Sequence, residues 1–319
     1  MNDSSGEIRV LDLFCGMGGL ALGFARNGFL VTGYDIYPRV PEIFEINQIG
    51  QAIVADLRTK GIRPEDRAAT LIIGGPPCRP WSALNVRQRG SRHPDHDLFR
   101  IFLEIVGEIR PEAFLMENVP RLERDPAFHE CLQLIEPGYD LAWKVVCYAD
   151  YGAAIARHRL FLAGFRRSES TNRALTFFEC LEAFRKPPRT VRDALETLEK
   201  SGTGDDPEHV WFNFQTVEKY QGKYRTGKYG WYQLSPDRPA PSFGNISKTY
   251  ILHPFAGNGY GVPLRVLSVR EAMTIMGFPL AFRFPPGTSL TDRYQMVADA
   301  VSPVFSEICA QVMLKILGQ

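Results

Sequence analysis

The chain has 319 residues, 45% of them hydrophobic, and its 37 Lys and Arg residues balance 36 Asp and Glu residues. That length accommodates one large domain with an insertion, or two domains, while the even charge excludes a general nucleic-acid coat protein and leaves polyanion binding to local patches. No run of about 18 apolar residues is available to span a membrane, and the polar start MNDSSGEIRV has no apolar signal core. The six cysteines, at 15, 78, 131, 147, 180 and 309, include no C-x-x-C pair and read as reduced thiols of a cytoplasmic protein.

The first half alternates strand and helix. Ile8–Phe14 (IRVLDLF) is an apolar run stopped by glycines, followed by a helical stretch over Leu20–Asn27. Leu30–Tyr34 forms a second strand ending at Asp35, QAIVAD a third ending at Asp56, and Thr70–Ile73 (TLII) a fourth running into Gly74–Ser82, GGPPCRPWS. Leu98, Ile101, Phe102, Ile105, Val106 and Ile109 share one face of an amphipathic helix. Ala113–Val119, Leu141–Tyr148 and Arg159–Phe165 supply further strands. Repeated βα units predict an α/β fold with a doubly wound, mostly parallel sheet.

After about Arg167 the texture changes. KPPR (Lys186–Arg189) and SGTGDDP (Ser201–Pro207) are turn-rich, and Trp211–Tyr232 holds eight aromatic residues with Lys219, Lys223, Arg225 and Lys228 against Glu218 alone. From Leu267 the pattern is helical again and closes on EICAQVMLKIL. This divides the chain into a catalytic and cofactor-binding domain over 1–170, a smaller basic and aromatic module over 171–264, and a return to the first domain over 265–319.

Two places carry chemistry. DLFCGMGG (Asp12–Gly19) lies at a strand-to-helix turn, and Asp35 ends the next strand 19 residues after Gly16. Glycines let a ligand approach the backbone there, and an acid at that offset suits a ribose diol, although a purely structural turn has the same look. The spacing is G-x-G-G, with no following cation to meet a pyrophosphate. That favours a nucleoside without phosphates, such as S-adenosylmethionine, whose adenine amino group Asp56 could reach. At the second place Cys78 follows one strand and Glu117 ends another, on one edge of a parallel sheet. Cys78 is either a small apolar filler or a nucleophile, and Glu117 either a satisfied structural carboxylate or a tuned acid.

The ordered set of motifs resembles the DNA (cytosine-5) methyltransferases. DLFCGMGG is similar to that family's first cofactor motif, GGPPCRPWS to its proline-cysteine motif, and MENV (Met116–Val119) to its glutamate motif. DYGAAIARHRLF (Asp150–Phe161) resembles the arginine motif, LSVREAMTIMGFP (Leu267–Pro279) the late Arg-Glu motif, and QMVADAVSP (Gln295–Pro303) the final motif, which returns to the cofactor. The resemblance implies that Cys78 adds to C6 of a flipped cytosine while Glu117 holds N3. Arg157 and Arg159 would stabilise the addition product or Cys78 itself, unless they are surface salt-bridge residues.

It further implies an S-adenosylmethionine site of Phe14, Gly16, Met17, Gly18, Gly19, Asp35, Ile36, Asp56, Leu57, Pro76, Leu98 and Val301. Duplex DNA is the implied partner of a monomer, and no metal is called for. DNA contacts are expected from Arg79, Ser82, Arg87 and Arg89, and from Ser242 in APSFGNISK (Ala240–Lys248), which is similar to the family's recognition segment. Three positions depart from the family pattern: Arg79 and Ile155 each stand where glutamine is usual, and Asp299 where asparagine is usual. An RNA cytosine methyltransferase of the same fold and a non-catalytic DNA-binding relative are the alternatives. Intact Cys78 and Glu117 argue against the second.

Overall fold

The structure, a computed structural model, describes residues 8–77, 95, 97–168, 171–200, 206–212, 215–219, 222, 231–257 and 261–318. Its chain divides into two compact units: 1–146, 158–184 and 306–319 form unit 1, and 147–157 and 185–305 form unit 2.

Unit 1 is built on strands β1 (Arg9–Leu13), β2 (Leu30–Asp35), β3 (Gln51–Val54), β4 (Leu71–Gly74), β5 (Ala113–Asn118), β6 (Tyr139–Cys147) and β8 (His158–Arg166). Among the described residues these seven make one sheet in the order β3-β2-β1-β4-β5-β8-β6. The first five run parallel, and β8 runs antiparallel to β5. Both β4 and β5 are buried along their whole length, as strands covered on both faces must be, which is why each reads as an unbroken apolar run. The amphipathic helix Leu98–Ile109 buries Leu98, Phe99, Phe102, Leu103, Ile105 and Val106. Its Phe102 ring meets Phe114 of β5 edge to face at 6.2 Å. Ser306, near the start of the closing helix, donates its hydroxyl to the carbonyl of Leu20 in helix α1 (Gly19–Arg26).

Unit 2 carries a two-stranded parallel ladder between β7 (Ile155–Ala156) and β9 (Ala240–Pro241), with Ile155 opposite Ala240. Ile155 is fully buried, which accounts for an apolar residue at this position: a glutamine would bring an amide into a packed ladder. The Arg-Glu pair of LSVREAMTIMGFP opens helix Val269–Met276. Glu271 and Ser268 close a capping box there, and Glu271 also takes two bonds from Arg265, of 2.8 and 2.7 Å. The buried Arg270 donates to Asp206 at 2.6 Å and to the carbonyl of Phe282 at 2.7 Å. This pair therefore holds unit 2 together.

His253 belongs to the same buried network. Its Nδ1 accepts the Phe255 N–H at 3.3 Å and its Nε2 lies 3.6 Å from Glu271. Burial pushes the imidazole down to about 4, with the Glu271 charge opposing and the Arg265 charge assisting. Because the folded value lies below the ordinary 6.5, the unfolded chain takes up the proton first as pH falls. Stability is then complete above about pH 6.5 and declines towards pH 4, by roughly 3 kcal/mol. Glu271, held low by Arg265 against its own burial, acts in the same direction. Thermal melting should therefore drop between pH 6.5 and 4, and His253→Asn, whose side-chain oxygen can still accept from Phe255, should flatten that drop. An unchanged pH profile in the variant would remove His253 as its cause.

Candidate active site

In the parallel part of unit 1, Leu13 pairs with both Tyr34 and Gly74, and Gly74 pairs with Met116. The residues that follow, Phe14, Asp35, Gly75 and Glu117, therefore emerge along one edge of the sheet, where ligands of such folds bind. β8 runs the other way and begins at that edge, which brings Arg159 beside the end of β5.

The turn after β1 is built from unusual backbone. Phe14 has φ 61°, and Gly16 and Gly18 have φ 52° and 80°. A left-handed aromatic residue costs on the order of 1–3 kcal/mol and persists where surrounding structure enforces it, often at a ligand site. A Cβ on Gly18 would also lie 2.7 Å from Ile49. The turn is clipped to the end of β2: the Gly16 N–H donates to one Asp35 oxygen at 2.9 Å and the Tyr37 N–H to the other at 2.8 Å. Burial raises the Asp35 carboxyl, and the Tyr37, Gly16 and Ile36 N–H groups partly restore it. Each carboxylate oxygen has two lone pairs, so Asp35 keeps room to accept a vicinal diol. Ile36 beside it is 61% exposed, an apolar surface fit to lie against a base. Met17, Leu57 and Leu98 are buried, and Gly19 opens α1. Asp56 is taken up by Arg58, whose backbone N–H and guanidinium all donate to it at 2.9–3.3 Å.

Beneath the turn sits Asp12, 1% exposed, whose carboxyl has no side-chain partner among the described residues. Burial pushes its carboxyl well up, the neighbouring Asp35 adds to this, and the Ala21 N–H at the start of α1 works against it. In the sequence this acid leaves no mark of its own, because in an apolar strand it looks like part of the DLF signature. An unmatched buried carboxylate fits a cationic nucleoside better than a phosphorylated one.

At the other end of the edge, Arg159 Nε lies 2.8 Å from Glu117 Oε1, with both side chains nearly buried. Gly75 makes room for this acid, since a Cβ there would lie 3.1 Å from Glu117 Oε2. Asn118, buried in the same strand end, donates to the carbonyl of Pro76 at 3.0 Å and accepts the Val119 N–H at 2.9 Å. It thus anchors the backbone two residues before Cys78. The asparagine of MENV was visible in the sequence, but its role depends on which backbone passes by it.

The remaining expected residues divide in two groups. Arg157, Ser242 and Val301 belong to unit 2. Arg157 is buried and donates to the carbonyl of Phe243 at 3.3 Å and to that of Ala298. Ser242 is exposed next to buried Phe243, and Val301 is buried. Cys78, Arg79, Ser82, Arg87 and Arg89 lie outside the described residues, as does most of the Trp211–Tyr232 aromatic stretch.

The profile of the C-5 cytosine-specific DNA methylases matches residues 8–315. The chain belongs to that family. Type II methyltransferase M.FnuDI of Fusobacterium nucleatum is 31% identical over 329 residues, covering 95% of this chain and 93% of its own. M.MthTI of Methanothermobacter thermautotrophicus is 29% identical over 335 residues, covering 96% and 97%. Among solved structures, a candidate DNA modification methyltransferase from an E. coli prophage superposes with a TM-score of 0.75 at 23% identity, over 98% of this chain and 100% of that one. The Dnmt2 methyltransferase of S. pombe gives 0.74 at 18%, with the same coverage. At such identities these two speak for the fold. The methylase therefore carries the expected doubly wound architecture.

Proposed function

We propose that the methylase transfers a methyl group from S-adenosylmethionine to C5 of a cytosine flipped out of a specific duplex DNA sequence, through an adduct between Cys78 and C6. The observation that carries this reading is the Glu117–Arg159 pair, 2.8 Å apart at the sheet edge, beside Asn118, which anchors Pro76. Cytosine C5 is a poor nucleophile, and the target carbon is hidden in the stack until the base is turned out. The Cys78 thiolate adds to C6 while the Glu117 carboxyl gives its proton to N3, which makes C5 enamine-like. Arg159 lies against Glu117 and stabilises the carboxylate left by that transfer, and its guanidinium faces the charge that develops on the ring. When bound, S-adenosylmethionine supplies the methyl group that C5 takes. A base then removes the C5 proton, the C6–S bond breaks to return Cys78 as thiolate, and N3 gives its proton back to Glu117.

In this reading Phe14, Gly16–Gly19, Asp35, Ile36, Asp56, Leu57, Pro76, Leu98 and Val301 hold the cofactor, with Asp35 on the ribose. Residues 171–264 read the target, and Arg79, Ser82, Arg87, Arg89 and Ser242 contact DNA. The chain works as a monomer. Bisulfite sequencing of DNA from an expressing host tests the whole: protected cytosines should recur in one short sequence context. A host whose DNA shows none, while the purified protein is folded, overturns it.

Asp12 gives the cofactor assignment its own test. Asp12→Asn removes the buried acid that a bound sulfonium would ionise, so it should weaken S-adenosylmethionine more than S-adenosylhomocysteine, which lacks the sulfonium. The gap in calorimetric affinity should narrow on the order of threefold to tenfold. Wild-type affinity for the sulfonium form should rise with pH, since a bound cation favours the ionised acid. Equal losses for both compounds would make Asp12 a packing residue.

A further inference from the structure

The end of β3 carries a cation that the proposed function leaves unused. Asp35, the last residue of β2, lies opposite Val54, the last of β3, and the Ala55 N–H donates to the Asp35 carbonyl at 2.8 Å. Asp56 therefore emerges on the same sheet edge as the acid assigned to the ribose, one residue beyond that bond. The chain turns at once: the Thr59 and Lys60 N–H groups donate to the Asp56 carbonyl at 3.0 and 2.8 Å. Within that turn Arg58 comes back over the Asp56 side chain.

Arg58 grips this carboxylate with three donors. Its backbone N–H and its Nε reach Oδ1 at 3.0 and 2.9 Å, and Nη2 reaches Oδ2 at 2.9 Å. Nε lies farther from Oδ2, at 3.3 Å. A carboxylate oxygen has two lone pairs, so Oδ1 is filled while Oδ2 has room for one more donor. The fork gives the carboxylate one orientation, and its hydrogen bonds hold Asp56 below the usual carboxylate range. The Asp56 side chain is still 29% exposed, so a ligand can reach it. The remaining guanidinium nitrogen, Nη1, lies 4.0 Å from Asp95 Oδ1. The Asp95 carbonyl in turn accepts the Leu98 N–H at 3.2 Å, where helix Leu98–Ile109 begins. Arg58 thus connects two residues assigned to the cofactor, Asp56 directly and Leu98 through Asp95, all within unit 1.

We propose that Arg58 sets the base selectivity of the cofactor site, by holding Asp56 so that Oδ2 accepts the 6-amino group of adenine. This deepens the proposed function and rests on its placement of Asp56 at the cofactor. Arg58 is a positioning residue, because it acts through Asp56. An acceptor fixed in place favours a purine that brings a donor and discriminates against one that brings none. Without the fork the ligand itself must order the carboxylate, which weakens binding.

The test compares S-adenosylhomocysteine with its analogue carrying hydrogen in place of the 6-amino group, by calorimetry on the full chain. The wild type should prefer the amino compound about tenfold, as for a hydrogen bond to a charged group. Arg58→Ala should weaken S-adenosylhomocysteine about twofold to fivefold, the scale of a partly exposed ion pair. It should leave the analogue nearly unchanged, so the preference falls by the same factor. Arg58→Lys, which keeps the charge and loses the fork, should behave like Arg58→Ala. Thermal melting checks that both variants fold. Equal losses for both compounds would overturn the proposal and make Arg58 a brace of the turn alone. Tighter binding of S-adenosylhomocysteine to Arg58→Ala would also overturn it, since Arg58 would then compete with the amino group. A full preference in Arg58→Lys would overturn the role of the fork. A wild type that binds both compounds alike would take Asp56 away from the base. A folded wild type that binds neither would overturn the cofactor reading itself.

Discussion

Cys78→Ala is expected to abolish methyl transfer, with a loss on the order of 10⁴-fold or more, as when a covalent nucleophile is removed. The physical reason lies in the ring: without a bond to C6, C5 has no electron pair to offer the methyl group. The sharper form of the test uses duplex DNA with 5-fluorocytosine at the target. After addition at C6 and methylation at C5, the adduct resolves by loss of a proton from C5, whereas fluorine cannot leave as a cation. Wild-type protein should therefore be trapped covalently, and only with S-adenosylmethionine present. Cys78→Ala should give no trapped species, and Glu117→Gln should slow trapping without preventing DNA binding. The same base in tRNA should yield little adduct. An RNA-only adduct would favour the RNA reading, and methylation at the normal rate by Cys78→Ala would end the mechanism.

The second large effect separates two arginines that stand two residues apart. Arg159 pairs with Glu117 in unit 1, while Arg157 donates to the carbonyls of Phe243 and Ala298 in unit 2. Arg159→Ala removes the guanidinium paired with Glu117 and, in the proposed mechanism, the cation facing the reacting ring, so kcat should fall about 10²–10³-fold with only a modest change in melting. Arg157→Ala leaves two buried carbonyls without their charged donor and opens a cavity. It should cost about 3 kcal/mol and lower the melting temperature by several degrees. Melting curves and single-turnover rates for the two variants decide the matter. An Arg157→Ala protein that melts like the wild type yet fails to methylate would put Arg157 in the chemistry instead.

Much of the site was legible in the sequence. Strand ends in a parallel sheet are marked by apolar runs that stop at glycine or acid, so Asp35 and Glu117 could be set at strand ends from the sequence pattern alone. The G-x-G-G turn was equally readable, because left-handed backbone at Gly16 and Gly18 restricts those positions to few residue types. The late Arg-Glu motif was recognised as a motif but not for what it does. Only packing shows Arg270 buried against Asp206, 64 residues away, since an ion pair between distant segments leaves no periodic trace.

By itself, then, the sequence determined the α/β alternation, the order of the motifs and the residue types able to do thiol addition and hold a nucleoside. These are local properties: period, turn chemistry and the reactivity of single side chains. The tertiary structure decided which buried carboxylate has no side-chain partner among the described residues, which backbone Asn118 anchors, and that Arg157 and Arg159 face different units. Alternation along a strand sends residues two apart to the same face. However, Arg157 lies just after β7 and Arg159 within β8, and the chain changes unit between them. No short-range pattern reports such a change, because what each guanidinium meets is set by segments 42 to 141 residues away: Glu117 for Arg159, and Phe243 and Ala298 for Arg157.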